Sequence, residues 1–246
     1  ARAQLLPFAR EVNEALAECG FPLCKGNVMA SNPDLCLSLE EWKARIGGWM
    51  ANAQPQALLD AAICFDFRPV FGDATLAAAL HAWVFARTGK SPLFLRQMAE
   101  NALQGRPALG RLGRLATENA PHAPHSINLK LNGVKPFVDA ARIYALGAGV
   151  SQTSTAERLR AVAVKGRVAP AEIEATVQAF FVIQALRLRI QAARDVSDEN
   201  ANRVDPDSLN EFELAMLKQA LRAGQKLQAK LALDYRRGLV VEADYH

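Results

Sequence analysis

Apolar and polar positions follow the period of an α-helix along most of the chain. The short segment after Ser38 is an example, because Trp42, Ile46 and Trp49 recur at intervals of four and three positions. Three sequences typical of an N-terminal capping box precede such segments: Ser38-x-x-Glu41, Ser154-x-x-Glu157 and Ser208-x-x-Glu211. Pro170 favours the first turn of a helix that runs towards Arg194, and a further helix is predicted over residues 5–18. The pattern therefore predicts a mainly helical protein.

Strand signals are fewer and shorter. The segments 27–30, 63–70 and 126–131 are interpreted as strands, and Asn132-Gly133 as the turn after the last of them. Residues 104–125, rich in Gly, Pro and Arg, are typical of a connecting loop. The predicted class is α+β and predominantly α, with mixed structure in the first ~90 residues and helices after them. Because two or three strands do not make a stable two-sided sheet, we expect the rest of a sheet on the N-terminal side.

Charge and hydropathy narrow the possible partners. The net charge is +4, but the densest basic cluster, Arg106, Arg111 and Arg114, has no interleaved aromatic residues, which argues against nucleic-acid binding. No apolar run approaches the ~20 residues that span a bilayer, and the first residues lack an export pattern. We therefore expect a soluble, cytoplasmic protein without a membrane partner.

The first candidate site is formed by Asp66 and Arg68, which lie inside the apolar run 63–71. In a strand the two side chains would share one face. They could be a metal-binding carboxylate with a cation for phosphate oxygens, or a structural ion pair, and the residues alone leave both open. Magnesium sites for phosphoryl transfer need several carboxylates, and the chain contains no G-S turn followed by D-x-D.

The second candidate site follows in residues 128–139. In a strand, Asn128 and Lys130 would share a face and offer an amide and an ammonium to a phosphate or a carboxylate. Asp139 is predicted in the first turn of the next helix, where a carboxylate suits the macrodipole, and Arg142 could pair with it. A plain helix-start acid is the alternative for Asp139.

A third candidate is a polar seam on the helix after Pro170. Gln184, Arg187 and Gln191 share one face of a helix whose other positions are mostly apolar. Such a seam could line a substrate cleft, or it could be the solvated face of the helix.

Several of these segments together resemble a known family. Residues 24–33, 39–42, 65–69 and 72–73 resemble the nucleotidyltransferase domain of bacterial signalling proteins, where it follows a cyclic-nucleotide-binding-like domain and two CBS domains. Residues 128–130, 139–146, 155–159 and 186–189 resemble the helical, substrate-binding domain that follows it. The resemblance implies that residues 1–90 are the C-terminal part of a nucleotidyltransferase core and that residues 91–246 are the helical domain.

The resemblance also implies a chemistry. The family is similar to enzymes that uridylylate PII proteins and adenylylate glutamine synthetase, whose polymerase-β-like core carries a G-S turn, a D-x-D pair and a third acid. Asp66 corresponds to that third acid and Arg68 to a residue just after it. Asn128, Lys130 and Asp139 resemble the segment that joins the core to the helical domain. From this resemblance we expect Arg68, Lys130 and Asn128 to contact phosphates. The implied reaction uses Mg²⁺ and moves a nucleoside monophosphate from a nucleoside triphosphate to a protein hydroxyl. Because the chain lacks the G-S turn and D-x-D pair, only a partial core is expected, inactive by itself and preceded by sensor domains.

A different class of function stays open beside this one. The chain could be a non-catalytic helical interaction module of a signalling protein, in which Asp66 is only structural. Helical bundles with apolar seams often pair, so a homodimer is also possible.

Overall fold

The computed structural model describes residues 2–110, 113–166, 169–192 and 200–237. Within these ranges the α-helices are α1 (Arg2–Glu18), α2 (Leu39–Ala51), α3 (Pro55–Cys64), α4 (Ala74–Thr88), α5 (Pro92–Ala102), α6 (Lys135–Ala148), α7 (Thr155–Val164), α8 (Pro170–Gln191) and α9 (Glu211–Arg237). The strands are β1 (Glu118–Ala120), β2 (Ala123–Asn128) and β3 (Arg203–Val204), and a π-helical turn, Lys130–Val134, leads directly into α6. The α+β, predominantly α class is confirmed. No helix in these ranges combines the length and apolarity needed to cross a membrane.

Of the three predicted capping boxes, only the one at Ser38 forms. Ser154 is the N-cap of α7, but its side chain makes no capping hydrogen bond, so the box predicted there is wrong. Ser38 and Glu41 form the predicted capping box of α2, since each side chain bonds the other residue's backbone N–H. The box predicted at Ser208 is wrong. Asn210 instead caps α9: its Oδ1 accepts the backbone N–H of Glu213 at 2.9 Å, and the Glu213 carboxylate accepts the Asn210 N–H at 3.2 Å. A short 3₁₀ turn at Pro206–Ser208 occupies the predicted start.

The strands agree with the prediction only at residues 126–128. Residues 2–110 contain no strand, so the predictions at 27–30 and 63–70 are wrong. Residues 63 and 64 complete α3, because Pro55 at the first position favours a helix and Leu58 and Ala61 bury one helical face. The third prediction is right up to Asn128, where β2 ends. All strands belong to one antiparallel sheet of order β1-β2-β3 beside the helical bundle.

The core is centred on α6, which is buried along most of its length from Pro136 to Leu146. Helices α5, α7 and α9 pack around it, and α8 packs on α7 and α9. The π-helical turn comes very close to α8, because a Cβ on Gly133 would lie 2.8 Å from Cγ2 of Ile183. Only glycine fits this contact, which holds the start of α6 against α8.

Candidate functional site

Three consecutive residues after α3 fasten the chain to the helices behind it. Phe65 is buried and meets the Phe94 ring edge-on at 6.2 Å between centroids. Phe67 stacks on His81 of α4 at 3.9 Å. Asp66, between the two phenylalanines, turns its carboxylate towards α6 and α7, where two guanidinium groups meet it.

Asp66 is bound by two arginines of the bundle. Arg142 of α6 donates from Nη2 to Oδ2 at 2.6 Å and from Nε to Oδ1 at 3.2 Å. Arg158 of α7 lies with Nη2 2.7 Å from Oδ1, and its Nε donates to the Gln152 carbonyl at 2.6 Å. The side chains of Arg142 and Arg158 are only 10% and 5% exposed. Such buried cations need a partner, and Asp66 supplies it.

The network continues along one face of α6. Lys135, Asp139 and Arg142 are spaced at i, i+4 and i+7, and Asp139 accepts from both of the others, from Arg142 at 3.2 Å. The predicted Asp139–Arg142 pair is confirmed. The predicted first-turn position of Asp139 is wrong, because α6 begins at Lys135 and places Asp139 in the second turn.

The electrostatics of the network favour its charged form. Burial opposes ionisation of Asp66, but the hydrogen bonds and charges of Arg142 and Arg158 outweigh it and lower the pKa of the carboxyl. Burial likewise opposes the charge of Arg142, and its bonds to Asp66 and the charges of both aspartates raise the pKa of the guanidinium. His81 behaves differently: burial lowers the pKa of its imidazole, a hydrogen bond with the Phe67 backbone opposes this, and the nearby Arg158 charge adds to the lowering.

A cavity of about 490 Å³ opens beside this network. Its lining combines apolar residues of α3 and α5 with charged residues of α6 and the π-helical turn: Leu58, Leu59, Ala62, Ile63, Asp66, Met98, Asn101, Ala102, Lys130, Leu131, Lys135, Asp139, Arg142 and Ile143. We call it the Asp66 pocket. The structure thus brings together Asp66, Lys130 and Asp139, three of the residues that the sequence singles out.

Lys130 differs from the other charged residues of the pocket. It is exposed, and within the described residues its ammonium has neither an ion pair nor a hydrogen bond. Asn128 positions it, because the Asn128 Oδ1 accepts the backbone N–H groups of Lys130 and Leu131 at 3.1 Å each. Asn128 therefore caps the turn instead of facing the pocket.

Arg68 and the polar seam of α8 lie outside the pocket. Arg68 is exposed and has no ion pair or hydrogen bond within the described ranges. The alternative in which Asp66 forms an ion pair with Arg68 is therefore wrong, because Asp66 pairs with Arg142 and Arg158 instead. The seam holds a turn before β3: Arg187 donates to Asn202 at 2.6 Å and to Gln184 at 3.3 Å, and Gln191 donates to Asn202 at 3.2 Å. The Asn202 carbonyl in turn accepts the Leu129 N–H at 2.7 Å.

The carboxylates as placed do not suit a magnesium ion by themselves. Mg²⁺ needs oxygen ligands that are free to coordinate. Both oxygens of Asp66 and both of Asp139 accept from cationic side chains. Elsewhere in the part of the chain that the structure describes, no three His, Cys, Asp or Glu side chains could hold a metal ion together.

Sequence reasoning missed Arg158 and Lys135 as members of this site. Arg158 lies among the buried residues Ala156, Leu159 and Val162 of α7, and an arginine on an apolar helical face is a signal for a buried partner. The identity of that partner, 92 positions upstream at Asp66, depends on the tertiary fold.

Two protein families match this chain. The family described as "Putative nucleotidyltransferase substrate binding domain" matches residues 92–235, more than half of the chain. The chain belongs to this family. Residues 1–56 match the family described as "Putative nucleotidyltransferase", so the resemblance seen in the sequence is confirmed for both parts.

Asp66 lies between the two matched segments, whereas Lys130, Lys135, Asp139, Arg142 and Arg158 lie inside the second. The boundary between residues 90 and 91 stays a prediction. Searches of curated proteins and of solved structures gave no match.

Proposed function

We propose that this chain is the substrate-binding part of a nucleotidyltransferase that moves a nucleoside monophosphate from a nucleoside triphosphate to a protein hydroxyl. In this proposal the Asp66 pocket holds the phosphate-bearing substrate. Its apolar wall, formed by residues such as Leu59, Ile63 and Leu131, suits a base or a sugar, and its charged wall suits a phosphate.

The observation that carries the proposal is the unpaired ammonium of Lys130. The side chains lining the pocket include three cations, Lys130, Lys135 and Arg142, against two anions, Asp66 and Asp139, a net charge of +1. Arg142 and Lys135 are already bound to the aspartates. Lys130 is left to attract an anion, and Asn128 holds the backbone at its base.

The Mg²⁺ ion of the proposed reaction needs further carboxylates. Asp66 and Asp139 are engaged by arginine and lysine, so we propose that the metal-binding D-x-D pair comes from outside these 246 residues. The chain alone is then expected to bind nucleotide without transferring it. The proposed enzyme works in the cytoplasm, together with sensor domains of the same polypeptide.

Nucleotide binding tests this proposal. Isothermal titration of the 246-residue chain with ATP, GTP, CTP and UTP, in EDTA, should give saturable binding of at least one of them. Lys130→Gln should weaken that binding about five- to tenfold, because among the described residues that line the pocket Lys130 is the cation without a partner. Lys90→Gln, a charge change on the exposed turn between α4 and α5, is the matched control. No saturable binding of any nucleotide by the folded chain would refute the proposal.

A second function is favoured by the double pairing of Asp66. A carboxylate held by Arg142 and Arg158 joins the loop after α3 to the bundle, as expected of a non-catalytic interaction module. Asp66→Asn in a longer protein that shows transfer activity separates the two functions. Lost transfer with unchanged unfolding supports catalysis, whereas a lower unfolding midpoint with retained transfer supports the module.

A further inference from the structure

A second cavity, separate from the Asp66 pocket, lies between α8 and α9. It is an open groove of about 700 Å³, lined by the face of α8 from Glu172 to Val182 and the face of α9 from Phe212 to Lys230. Small side chains form much of its lining: Ala175, Ala179, Ala215, Ala220 and Ala223. We call it the α8–α9 groove. Because alanines project little, another main chain can approach both helices closely here.

Two larger apolar side chains stand at one end of the groove. Phe212 is 73% exposed and Met216, one turn further along α9, is 37% exposed. An exposed phenylalanine and methionine beside an apolar groove are typical of a protein-binding surface. The other wall offers Ala179 and Val182, so both walls of the groove contribute apolar side chains.

A row of cations runs along the α9 edge of the groove. Arg222, Lys226 and Lys230 recur every four residues and so lie on one side of the helix. Within the described residues Arg222 and Lys226 have no ion pair and no hydrogen bond, and Lys230 has only a distant contact with Asp234, at 3.8 Å.

Other exposed arginines on the same two helices, or on the helix beside them, are paired. Arg189 of α8 pairs with Glu213 of α9, and Arg160 of α7 pairs with Glu174 of α8 at 2.6 Å. Among the described residues, the groove therefore differs from its surroundings in having cationic side chains without an acidic partner. The α8 edge contributes a single acid, Glu172.

We propose that the α8–α9 groove is a docking site for an amphipathic α-helix of a partner protein. The partner places its apolar face on the alanines, with Phe212 and Met216 around one end, and its acidic flank against Arg222 and Lys226. The lining of α9 extends over 18 residue steps, which at 1.5 Å per residue is about 27 Å, the length of a helix of about 18 residues. The site is separate from the Asp66 pocket and does not depend on the nucleotide proposal.

The charge favours an acidic partner over a second copy of this chain. In a symmetric dimer both subunits present the same patch. The cations of the two copies, Arg222 and Lys226 of each, would then share one interface against a single Glu172 from each. An acidic helix meets the same cations with opposite charge.

Two fluorescein-labelled model helices of about 18 residues test the proposal. One carries leucines at helical spacing with glutamates on the flank, and the other has the same leucines with lysines in place of the glutamates. Fluorescence anisotropy with the 246-residue chain should show at least tenfold tighter binding of the glutamate helix. That preference should decrease as salt is added.

Variants of the chain locate the binding. Arg222→Glu combined with Lys226→Glu should weaken the glutamate helix at least tenfold and reverse the preference, while Lys25→Glu combined with Lys90→Glu, exposed cations elsewhere, should change neither. Ala175→Trp, which fills the α8 edge of the groove, should abolish binding. Ala171→Trp, exposed on the same helix but outside the groove, should not. Circular dichroism confirms that each variant is folded.

Three results would overturn the proposal. The first is no saturable binding of the glutamate helix up to about 1 mM, the weak end of specific affinities. The second is equal affinity for the two model helices. The third is a dimer in sedimentation velocity that Ala175→Trp converts to a monomer, which would assign the groove to a second copy. Nucleotide titration of the same samples keeps failure here distinct from failure at the Asp66 pocket.

Discussion

The Asp66 pocket and the α8–α9 groove differ in how their charged side chains are paired. At the pocket, carboxylates and guanidinium groups from three separate parts of the chain bind each other, and Lys130 is the cation of the described lining that has no partner. In the groove, cations of one helix stand unpaired beside an apolar surface. The comparison indicates that paired charges mainly join segments of this protein, whereas unpaired charges are the ones available to a ligand.

The largest effect is expected from removing Asp66, the acid that Arg142 and Arg158 share. Asp66→Ala leaves the buried Arg142 and Arg158 without their common partner, and we expect a loss of about 3 kcal/mol in the free energy of unfolding. Urea denaturation measures it. Glu100→Ala, which breaks an exposed pair with Arg96, should cost less than about 1 kcal/mol. Equal losses for the two variants would contradict a joining role for Asp66.

A somewhat smaller loss is expected at Gly133, which sets the approach of the pocket's π-helical turn to α8. Gly133→Ala places a methyl 2.8 Å from Cγ2 of Ile183 and should cost about 1–3 kcal/mol in unfolding free energy. Gly48→Ala in α2 is the control, since its methyl meets nothing within 4 Å and should stabilise the helix by about 0.5–1 kcal/mol. Thermal unfolding of both variants decides whether the close contact or the glycine itself matters.

The next effect is on binding and is smaller than these losses of stability. If the Asp66 pocket and the α8–α9 groove are separate sites, each variant should weaken only one of the two ligands. Lys130→Gln should weaken nucleotide binding about five- to tenfold and leave the model helix unaffected. Arg222→Glu with Lys226→Glu should do the reverse. Measuring both ligands on both variants tests this directly, and a variant that weakens both ligands equally would show that the two sites are coupled.

The smallest effect is expected from pH. The pKa of Asp66 is lowered in the folded state, so in acid the unfolded chain binds more protons at this position. Its stabilising effect is complete above the unfolded pKa of about 3.9 and is lost as pH falls through the lower folded value. The unfolding free energy should therefore decrease below about pH 4. Asp66→Asn should show a smaller decrease, and an identical pH dependence of the two proteins would contradict the pairing.

Local structure was largely predictable from the residues that form it. The capping box at Ser38, the start of α8 at Pro170 and the Asp139–Arg142 pair depend on neighbours within one helical turn, and all three are present. The strand predicted at residues 63–70 was wrong for a related reason. A short apolar run satisfies helix and strand alike, and Pro55 upstream, together with the core that buries Leu58 and Ala61, favours the helix.

The sequence by itself determined the helical class and the family, and it singled out Asp66, Lys130 and Asp139 as candidates. Only the tertiary structure decided what these residues face. It paired Asp66 with Arg142 and Arg158 instead of Arg68, and it turned Gln184, Arg187 and Gln191 to a structural turn at Asn202. The physical reason is the distance along the sequence over which each interaction acts. Propensity and capping act over a few residues, whereas a buried charge takes whichever opposite charge the packed helices bring to it, 76 or 92 positions away.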